Sequence, residues 1–304
     1  MPQPKSTTAD ELVTVRDLFR WAISRFNEAD LYFGHGATTA LDEAAFIVLE
    51  GLHLPVDQLD PFLDARLTLA ERRRLVDLIE RRVSTRKPAA YLLGRTYIQG
   101  IPFRVDERVI VPRSFLGELM LGDAFAGDDL LPEGPGAVES VLELCTGSGC
   151  LAIIAAMRFP NARVDAVDLS PEALEVATLN VAEHAMTERI ELLRGDLFAP
   201  VAGRRYDLIL TNPPYVDAET MALLPPEYRH EPELALAGGE DGLDIVRRIL
   251  AGAPDHLNPG GGLLCEIGTG REVLEAEYPN LPFLWLDTED SEGEVFWLSE
   301  ADFR

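Results

Sequence analysis

The sequence predicts an α/β protein in which a mostly parallel sheet, covered on both faces, follows a small helical bundle and a β-hairpin joint. Three observations predict it. Over about the first ninety residues, apolar side chains recur at helical spacing with no strand pattern between them. From residue 138 onward, short apolar runs alternate with helical segments, which is how parallel strands joined by crossover helices read. Between the two regions lies a pair of short β-rich segments around a turn. The expected organisation is a helical domain over 1–90, a hairpin linker over 91–112 and a sheet domain over 113–304.

Leu12, Val15, Leu18, Phe19, Ala22, Ile23 and Phe26 form the stripe of the first helix, and Thr14 with Asp17 three residues later suits its cap. Gly34 and Gly36 then break the chain. A second helix starts near Thr39, carries Phe46, Ile47, Val48 and Leu49, and stops before Pro55. Thr68 and Glu71 make a capping-box pattern for a third, with Leu75, Leu78, Ile79 and Val83 on one face. The joint reads as strands at 96–98 and 103–105 around a turn at 99–102, then an apolar run at 109–111 ending at Pro112. Residues 127–136 read as a loop. Strands follow at 138–145, 162–168, 190–193, 206–211 and 262–267, with helices at 150–158 and 171–185. Ser170 caps the second of these helices and Pro171 occupies its first turn. Segments 283–286 and 295–298 have no helix pattern between them and read as a terminal hairpin. They complete a sheet of seven strands, one of them antiparallel.

The chain has 304 residues, of which 47% are hydrophobic, enough to bury a core without covalent staples. Asp and Glu number 52 against 27 Lys and Arg, for a formal charge of −25. Affinity for duplex nucleic acid rests on neutralising phosphates with cations, so stable nucleic-acid binding is not expected. An acidic surface suits solubility or attraction to a basic partner. The three cysteines, Cys145, Cys150 and Cys265, form neither a disulfide framework nor a zinc-ligand spacing, which fits a reducing compartment. Met1 to Lys5 lack the charged-then-apolar order of a secretion signal, and the apolar run 151–157 is too short for a bilayer. A cytoplasmic protein without membrane association is expected.

Three motifs carry chemistry. In the first, the strand ending at Leu144 feeds Cys145-Thr146-Gly147-Ser148-Gly149, which opens a helix at Cys150. Gly147 and Gly149 permit close backbone approach to a ligand at an electropositive helix N-terminus. By itself this turn fits a methyl-donor site, a dinucleotide site or a structural turn. In the second, Asp168 ends the next strand, nineteen residues beyond Gly149. There it accepts hydrogen bonds from ribose hydroxyls or caps the following helix. A ribose alone does not separate a nicotinamide cofactor from S-adenosylmethionine.

The third motif separates them. Asn212-Pro213-Pro214-Tyr215 follows the strand 206–211, and ligands of open α/β sheets bind outside the carboxyl ends of strands. A planar amide or aromatic amine is a poor nucleophile because its nitrogen lone pair is delocalised. An enzyme must hold both N–H bonds so that the lone pair points at the methyl group. Asn212 offers a side-chain carbonyl for this and Pro213 a backbone carbonyl. The two prolines have no N–H to compete, and they stiffen the loop. Tyr215 suits the flat face of such a group and a dry pocket.

With these motifs the chain resembles the S-adenosylmethionine-dependent methyltransferases that modify planar nitrogens, and among them the protein glutamine N(5)-methyltransferases. Further matches are Val111-Pro112-Arg113, Gly195-Asp196-Leu197-Phe198, Glu231-Pro232-Glu233-Leu234-Ala235-Leu236, Gly239-Glu240-Asp241-Gly242-Leu243-Asp244 and Cys265-Glu266-Ile267-Gly268. The release-factor branch of that family usually reads Ile-Pro-Arg-Pro-Asp-Thr-Glu where this chain has Val111-Pro112-Arg113-Ser114-Phe115-Leu116-Gly117. Phe33-Gly34-His35-Gly36, Val111-Pro112-Arg113-Ser114 and the Cys145 to Cys150 turn resemble instead the branch that modifies large-subunit ribosomal protein L-three. Departures are Gly195, where that branch more often has Ser, and Gly268-Thr269-Gly270, in place of Gly-Asn-Ser.

The resemblance implies a Rossmann-like, seven-stranded class I methyltransferase domain. It implies S-adenosylmethionine as methyl donor, no metal, and a ribosomal protein as substrate; the charge of −25 suits that partner being basic and met before assembly, when RNA does not yet compete for it. It places Cys145, Thr146, Gly147, Ser148 and Gly149 around the methionyl part, Asp168 at the ribose, and Asp196 and Leu197 at the adenine. Asn212, Pro213, Pro214 and Tyr215 would hold the acceptor glutamine, with Asn212 also bordering the donor. Arg113 would be a pocket wall or an ion pair, and His35 a structural or docking residue. Competing readings are the release-factor enzyme, a DNA adenine methyltransferase, disfavoured by the charge and by only two lysines, and a nicotinamide oxidoreductase, which has no use for Asn-Pro-Pro-Tyr.

Overall fold

A computed structural model describes residues 7–125, 130, 131, 134–289 and 291–304. Half of the loop expected at 127–136, residues 127–129, 132 and 133, lies outside the described residues. The chain forms two compact units, Met1–Arg95 with Pro225–His230, and Thr96–Leu224 with Glu231–Arg304.

The first unit is helical, with α1 (Thr8–Glu11), α2 (Val15–Glu28), α3 (Ala40–Gly51), α4 (Leu69–Thr85) and α5 (Ala89–Leu93). Capping places the starts of the long helices. Thr14 and Thr68 each accept the N–H of the acidic residue three positions on, and Asp17 and Glu71 accept in return from the cap N–H groups. Thr39 caps α3 by accepting from the Asp42 N–H at 3.1 Å. Leu18, Ala22 and Phe26 of α2, Ala44 and Ile47 of α3, and Leu75 and Ile79 of α4 make the core. The one-turn helices α1 and α5 are too short to show a periodicity in the sequence.

Segment Pro225–His230, far along the chain, packs into this helical unit. Glu227 is fully buried there. It accepts from the Tyr32 N–H at 3.0 Å and lies 3.0 Å from Arg86 and 3.8 Å from Arg82, which also pairs with buried Glu43. His35 is buried with its ring 4.4 Å from that of Tyr228, so its place is in packing.

The second unit opens with β1 (Arg95–Ile98) and β2 (Ile101–Arg104). Gln99 and Gly100 both take positive φ, so the turn is two residues long, tighter than the expected 99–102. There follow α6 (Leu116–Leu121), β3 (Ser140–Leu144), α7 (Cys150–Arg158), β4 (Arg163–Asp168), α8 (Pro171–Glu183), β5 (Ile190–Arg194) and β6 (Tyr206–Thr211). Then come α9 (Ala218–Leu223), α10 (Asp244–His256), β7 (Leu257–Glu266), α11 (Arg271–Glu277), β8 (Leu284–Leu286) and β9 (Val295–Ser299).

The seven-stranded sheet has the order β5-β4-β3-β6-β7-β9-β8. Its pairs are parallel except those made by β9, which runs antiparallel to both its neighbours. Alternate residues face opposite layers. Val141, Leu208 and Leu210 join α7 on one side, whereas Leu142, Leu144 and Ile209 join α10 on the other. Burial on both faces explains why the strands read as unbroken apolar runs.

The hairpin read as a joint is part of this second unit and is bonded to α8. Buried Asn180 accepts from the Arg104 N–H at 2.7 Å and donates to the carbonyls of Arg104 at 3.0 Å and Ser148 at 2.8 Å. One amide thus joins the hairpin to the glycine turn. The sequence reading did not single out α10, because Pro254 and Gly252 in its last turns interrupt the helical pattern.

Candidate active site

A cavity of about 220 Å³ opens at the carboxyl ends of β3, β4, β5 and β6, all within the second unit. Its walls include Cys145, Gly147, Asp168, Asp196, Leu197, Asn212 and Pro214 from the sequence-predicted set. Thr146, Ser148, Gly149, Pro213 and Tyr215 are not among the lining residues.

The glycine turn needs positive φ at Cys145, Gly147 and Gly149. A Cβ on Gly147 would meet nothing within 4 Å, so that backbone is open to the cavity. A Cβ on Gly149 would stand 3.2 Å from Ala177 of α8, so this glycine serves helix packing. The Thr146 N–H donates to the Val167 carbonyl at 3.0 Å, tying the turn to β4. The Thr146 hydroxyl donates to the Glu143 carboxylate, which is buried in β3. Burial pushes the Glu143 carboxyl up to about 8, against the opposing effect of that hydrogen bond. Burial likewise raises Cys150 to about 12 and moves Cys145 and Cys265 upward, so none of the three thiols is an ionised nucleophile at neutral pH.

Asp168 accepts from the Gly147 N–H at 2.8 Å with one oxygen and from the Ser170 N–H at 2.8 Å with the other. It braces the turn while lining the cavity. The cap of α8 is Ser170, which accepts from the Ala173 N–H at 3.1 Å. Burial raises the Asp168 carboxyl, and these N–H groups oppose the rise.

Asp196 follows β5 and pairs with Arg248 of α10 at 2.7 Å, both half-exposed on the cavity wall. Leu197 is buried at a φ of 48°. A Cβ on Gly195 would stand 2.6 Å from Pro200, which is why glycine serves here.

Thr211 ends β6 and donates its hydroxyl to the Leu144 carbonyl at 3.1 Å, setting the next residue beside the glycine turn. The Asn212 carboxamide is half-buried and makes no hydrogen bond to the described residues. The loop behind it is clamped. Val216 pairs with Ala237, and the Gly238 N–H donates to the Val216 carbonyl at 2.8 Å. Cβ atoms at Gly238 and Gly242 would collide with the backbone of Tyr215, at 2.7 and 2.3 Å. Segment 236–242, where the motifs at 231–236 and 239–244 meet, therefore backs the loop Asn212-Pro213-Pro214-Tyr215. Tyr215 donates its hydroxyl to Glu266 at 3.2 Å. Arg113 forms a two-pronged pair with Glu231, at 2.7 and 2.8 Å, and does not line the cavity.

Sequence reasoning missed Arg108, Ile110, Leu234, Ile245 and Arg248 as cavity residues. For Leu234 the motif at 231–236 was the available signal. For Arg248 it was the amphipathic pattern of α10, obscured by Pro254. Nothing local marks Arg108 or Ile110.

A sheet of this order, with its antiparallel strand beside the last long one and its cavity over the first four strands, is the class I methyltransferase architecture, and its methyl donor is S-adenosylmethionine. The model of the methyltransferase small domain matches residues 129–224. The chain is 63% identical to the ribosomal protein uL3 glutamine methyltransferase of Bradyrhizobium diazoefficiens, over 96% of this chain and 92% of that one. Identity to the proteins of the same name is 52% for Bordetella pertussis, over 99% of both chains, and 54% for Neisseria meningitidis serogroup A, over 96% and 94%. The chain belongs to the ribosomal protein uL3 glutamine methyltransferase family.

Proposed function

We propose that the enzyme methylates a side-chain amide nitrogen of a glutamine in ribosomal protein uL3, in its free form before ribosome assembly. The observation that carries this reading is the Asn212 carboxamide, unengaged by the described residues and held at the cavity wall beside Pro214. Its carbonyl, with the Pro213 backbone carbonyl, accepts the two N–H bonds of the acceptor amide and turns the lone pair toward the donor. These acceptors also offset charge developing on nitrogen in the transition state.

The residues present fit the donor. The open Gly147 backbone leaves room a side chain would fill, and the cavity combines apolar walls with the Asp168 carboxylate. Cys145 and Gly147 are assigned to the methionyl part, with Thr146, Ser148 and Gly149 shaping the turn behind them, Asp168 to the ribose, and Asp196 and Leu197 to the adenine. S-adenosylmethionine supplies a methyl group already activated on a sulfonium, displaced in line. The chain's own contribution is alignment, worth roughly 7–11 kcal/mol for a well-oriented pair. No general base is assigned, because the amide proton becomes acidic only as the nitrogen is methylated.

The helical unit is assigned to docking the protein substrate, and a charge of −25 suits a basic ribosomal protein. The test is transfer of labelled methyl groups into purified ribosomal proteins and release factors, with the modified residue mapped. Label on a glutamine of uL3 is expected. A higher specificity constant for a release factor would overturn the substrate, and label on another residue type would overturn the acceptor chemistry.

A further inference from the structure

We propose that Ser114 and Glu266 are positioning residues that hold Tyr215, and through it the acceptor loop, in the geometry for methyl transfer. The inference rests on the assignment of Asn212-Pro213-Pro214-Tyr215 to the acceptor.

Glu266 is the last residue of β7 and is fully buried. One carboxylate oxygen accepts from the Ser114 hydroxyl at 2.7 Å and the Phe115 N–H at 3.0 Å, and the other accepts from the Tyr215 hydroxyl at 3.2 Å. Ser114 also accepts from the Leu116 N–H at 3.2 Å, which leaves its own proton directed to the carboxylate. Among the described residues, every hydrogen-bond partner of Glu266 is an uncharged donor. The nearby cation Arg113 is paired with Glu231.

A buried carboxylate served only by neutral donors is costly, and a fold that needed nothing but filling there would use an apolar side chain. Its three bonds connect parts of the chain that share no other purpose. They run from the end of β7 to the Val111-Pro112-Arg113-Ser114 motif and to the tyrosine of the acceptor loop. The Tyr215 ring is confined on its flank as well, because a Cβ at Gly268 would stand 2.8 Å from a ring carbon. With its main chain backed by Gly238 and Gly242, Tyr215 is fixed at its backbone, its ring and its hydroxyl. Asn212 lies three residues back along a loop that two prolines stiffen, so displacement of Tyr215 is passed to the acceptor carbonyls. A misplacement of about 1 Å in such a site costs on the order of 100-fold in rate.

Ser114 stands where the release-factor branch usually carries proline, which has no hydroxyl to donate. The chain Ser114–Glu266–Tyr215 therefore gives a physical role to a residue that otherwise only marks the branch.

The test uses the full-length enzyme, purified uL3 and S-adenosylmethionine. The variants are Ser114→Ala, Ser114→Thr, Glu266→Gln, Tyr215→Phe and the double change of Glu266→Gln with Tyr215→Phe. Single-turnover transfer at saturating substrates is expected to fall roughly 10- to 100-fold in Glu266→Gln and Tyr215→Phe. A smaller loss is expected in Ser114→Ala, recovered in Ser114→Thr. Donor affinity should stay within a few-fold in each. The double variant should be no slower than the slower single one, because both remove the same link.

A pH profile gives an independent readout. The groups facing the carboxyl are Tyr215, Cys265, Glu294 and, through its charge on Tyr215, Arg113. Burial holds the carboxyl up to about 7, so wild-type transfer should decline as pH falls through that value and Glu266→Gln should lack this limb. Additive losses in the double variant, or unchanged single-turnover rates in folded Glu266→Gln and Tyr215→Phe, would overturn the relay. Asn212→Ala serves as the control on the underlying assignment. If it transfers methyl at the wild-type rate, the acceptor reading fails and the relay with it. If it is inactive while the relay variants are unaffected, the relay alone fails.

Discussion

Asp168 shows how one side chain serves two ends. Its oxygens already accept from the N–H groups of Gly147 and Ser170, so it shapes the glycine turn before any ligand arrives. Asp168→Ala is expected to lower donor affinity about 30- to 100-fold, or roughly 2–3 kcal/mol, the scale of hydrogen bonds to a charged group. Calorimetric titration with S-adenosylmethionine measures it, and an unchanged dissociation constant would assign Asp168 to turn geometry alone. Asn212 should behave oppositely. Its carboxamide makes no bond to the described residues, so Asn212→Ala removes no link that holds the donor cavity together. Donor binding should stay within a few-fold while single-turnover transfer is lost, and substantial residual turnover would remove Asn212 from the acceptor role. Both positions were legible in the sequence, because a strand end followed by Gly-rich or Asn-Pro-Pro-Tyr residues is a local pattern. Arg108 and Ile110 were not, since nothing in their neighbourhood along the chain distinguishes a cavity wall from an ordinary loop.

The β3–turn–α7 element carries a buried carboxyl at its centre. Glu143 is held up to about 8 by burial, from an ordinary value near 4.5. The folded chain therefore binds a proton there that the unfolded chain has lost between about pH 4.5 and 8. Stability from this group is present below the unfolded value, declines as pH rises through that window, and levels off above about 8. The penalty at high pH is on the order of a few kcal/mol, at 1.4 kcal/mol for each pKa unit. Denaturant unfolding at pH 5.5 and 8.5 should show wild type losing more stability across the interval than Glu143→Gln does, and equal losses would refute the assignment. Among the helices, the starts of α2, α3 and α4 were readable from their threonine caps. The last turns of α10 were not, because Pro254 and Gly252 are tolerated only where the sheet already holds the helix.

For the whole molecule the dominant quantity is the charge of −25. A basic protein is drawn to such a surface, and attraction between exposed charges is screened beyond about 8–10 Å at physiological ionic strength. The association rate of enzyme with free uL3 should therefore fall as salt rises, while the single-turnover rate of the formed complex stays constant. Stopped-flow association at low and moderate salt distinguishes the two, and a salt-independent association rate would remove electrostatic recruitment. Assembled large subunits, whose RNA competes for the same basic surface, should be methylated more slowly than free uL3. Equal rates would reject the timing while leaving the chemistry intact.

By itself, the sequence determined the helical and α/β portions, the starts of the capped helices, the seven strands and the three motifs around the cavity. These depend on φ preferences, on hydrogen bonds spanning three or four residues and on the period of apolar side chains, all of which act over short stretches. Only the tertiary structure decided that β9 lies between β7 and β8 and that Pro225–His230 packs with the helices through Glu227. It also decided that Arg113 pairs with Glu231, and that Glu266 is buried beneath the Tyr215 hydroxyl. The side-chain partners lie between about 50 and 200 residues apart, and even the nearer strand partners, such as Glu266 and Val295, meet only because of which strand edges pair and which charges burial forces together. No local pattern encodes that choice, because its energy comes from desolvation and packing across the completed sheet and helices.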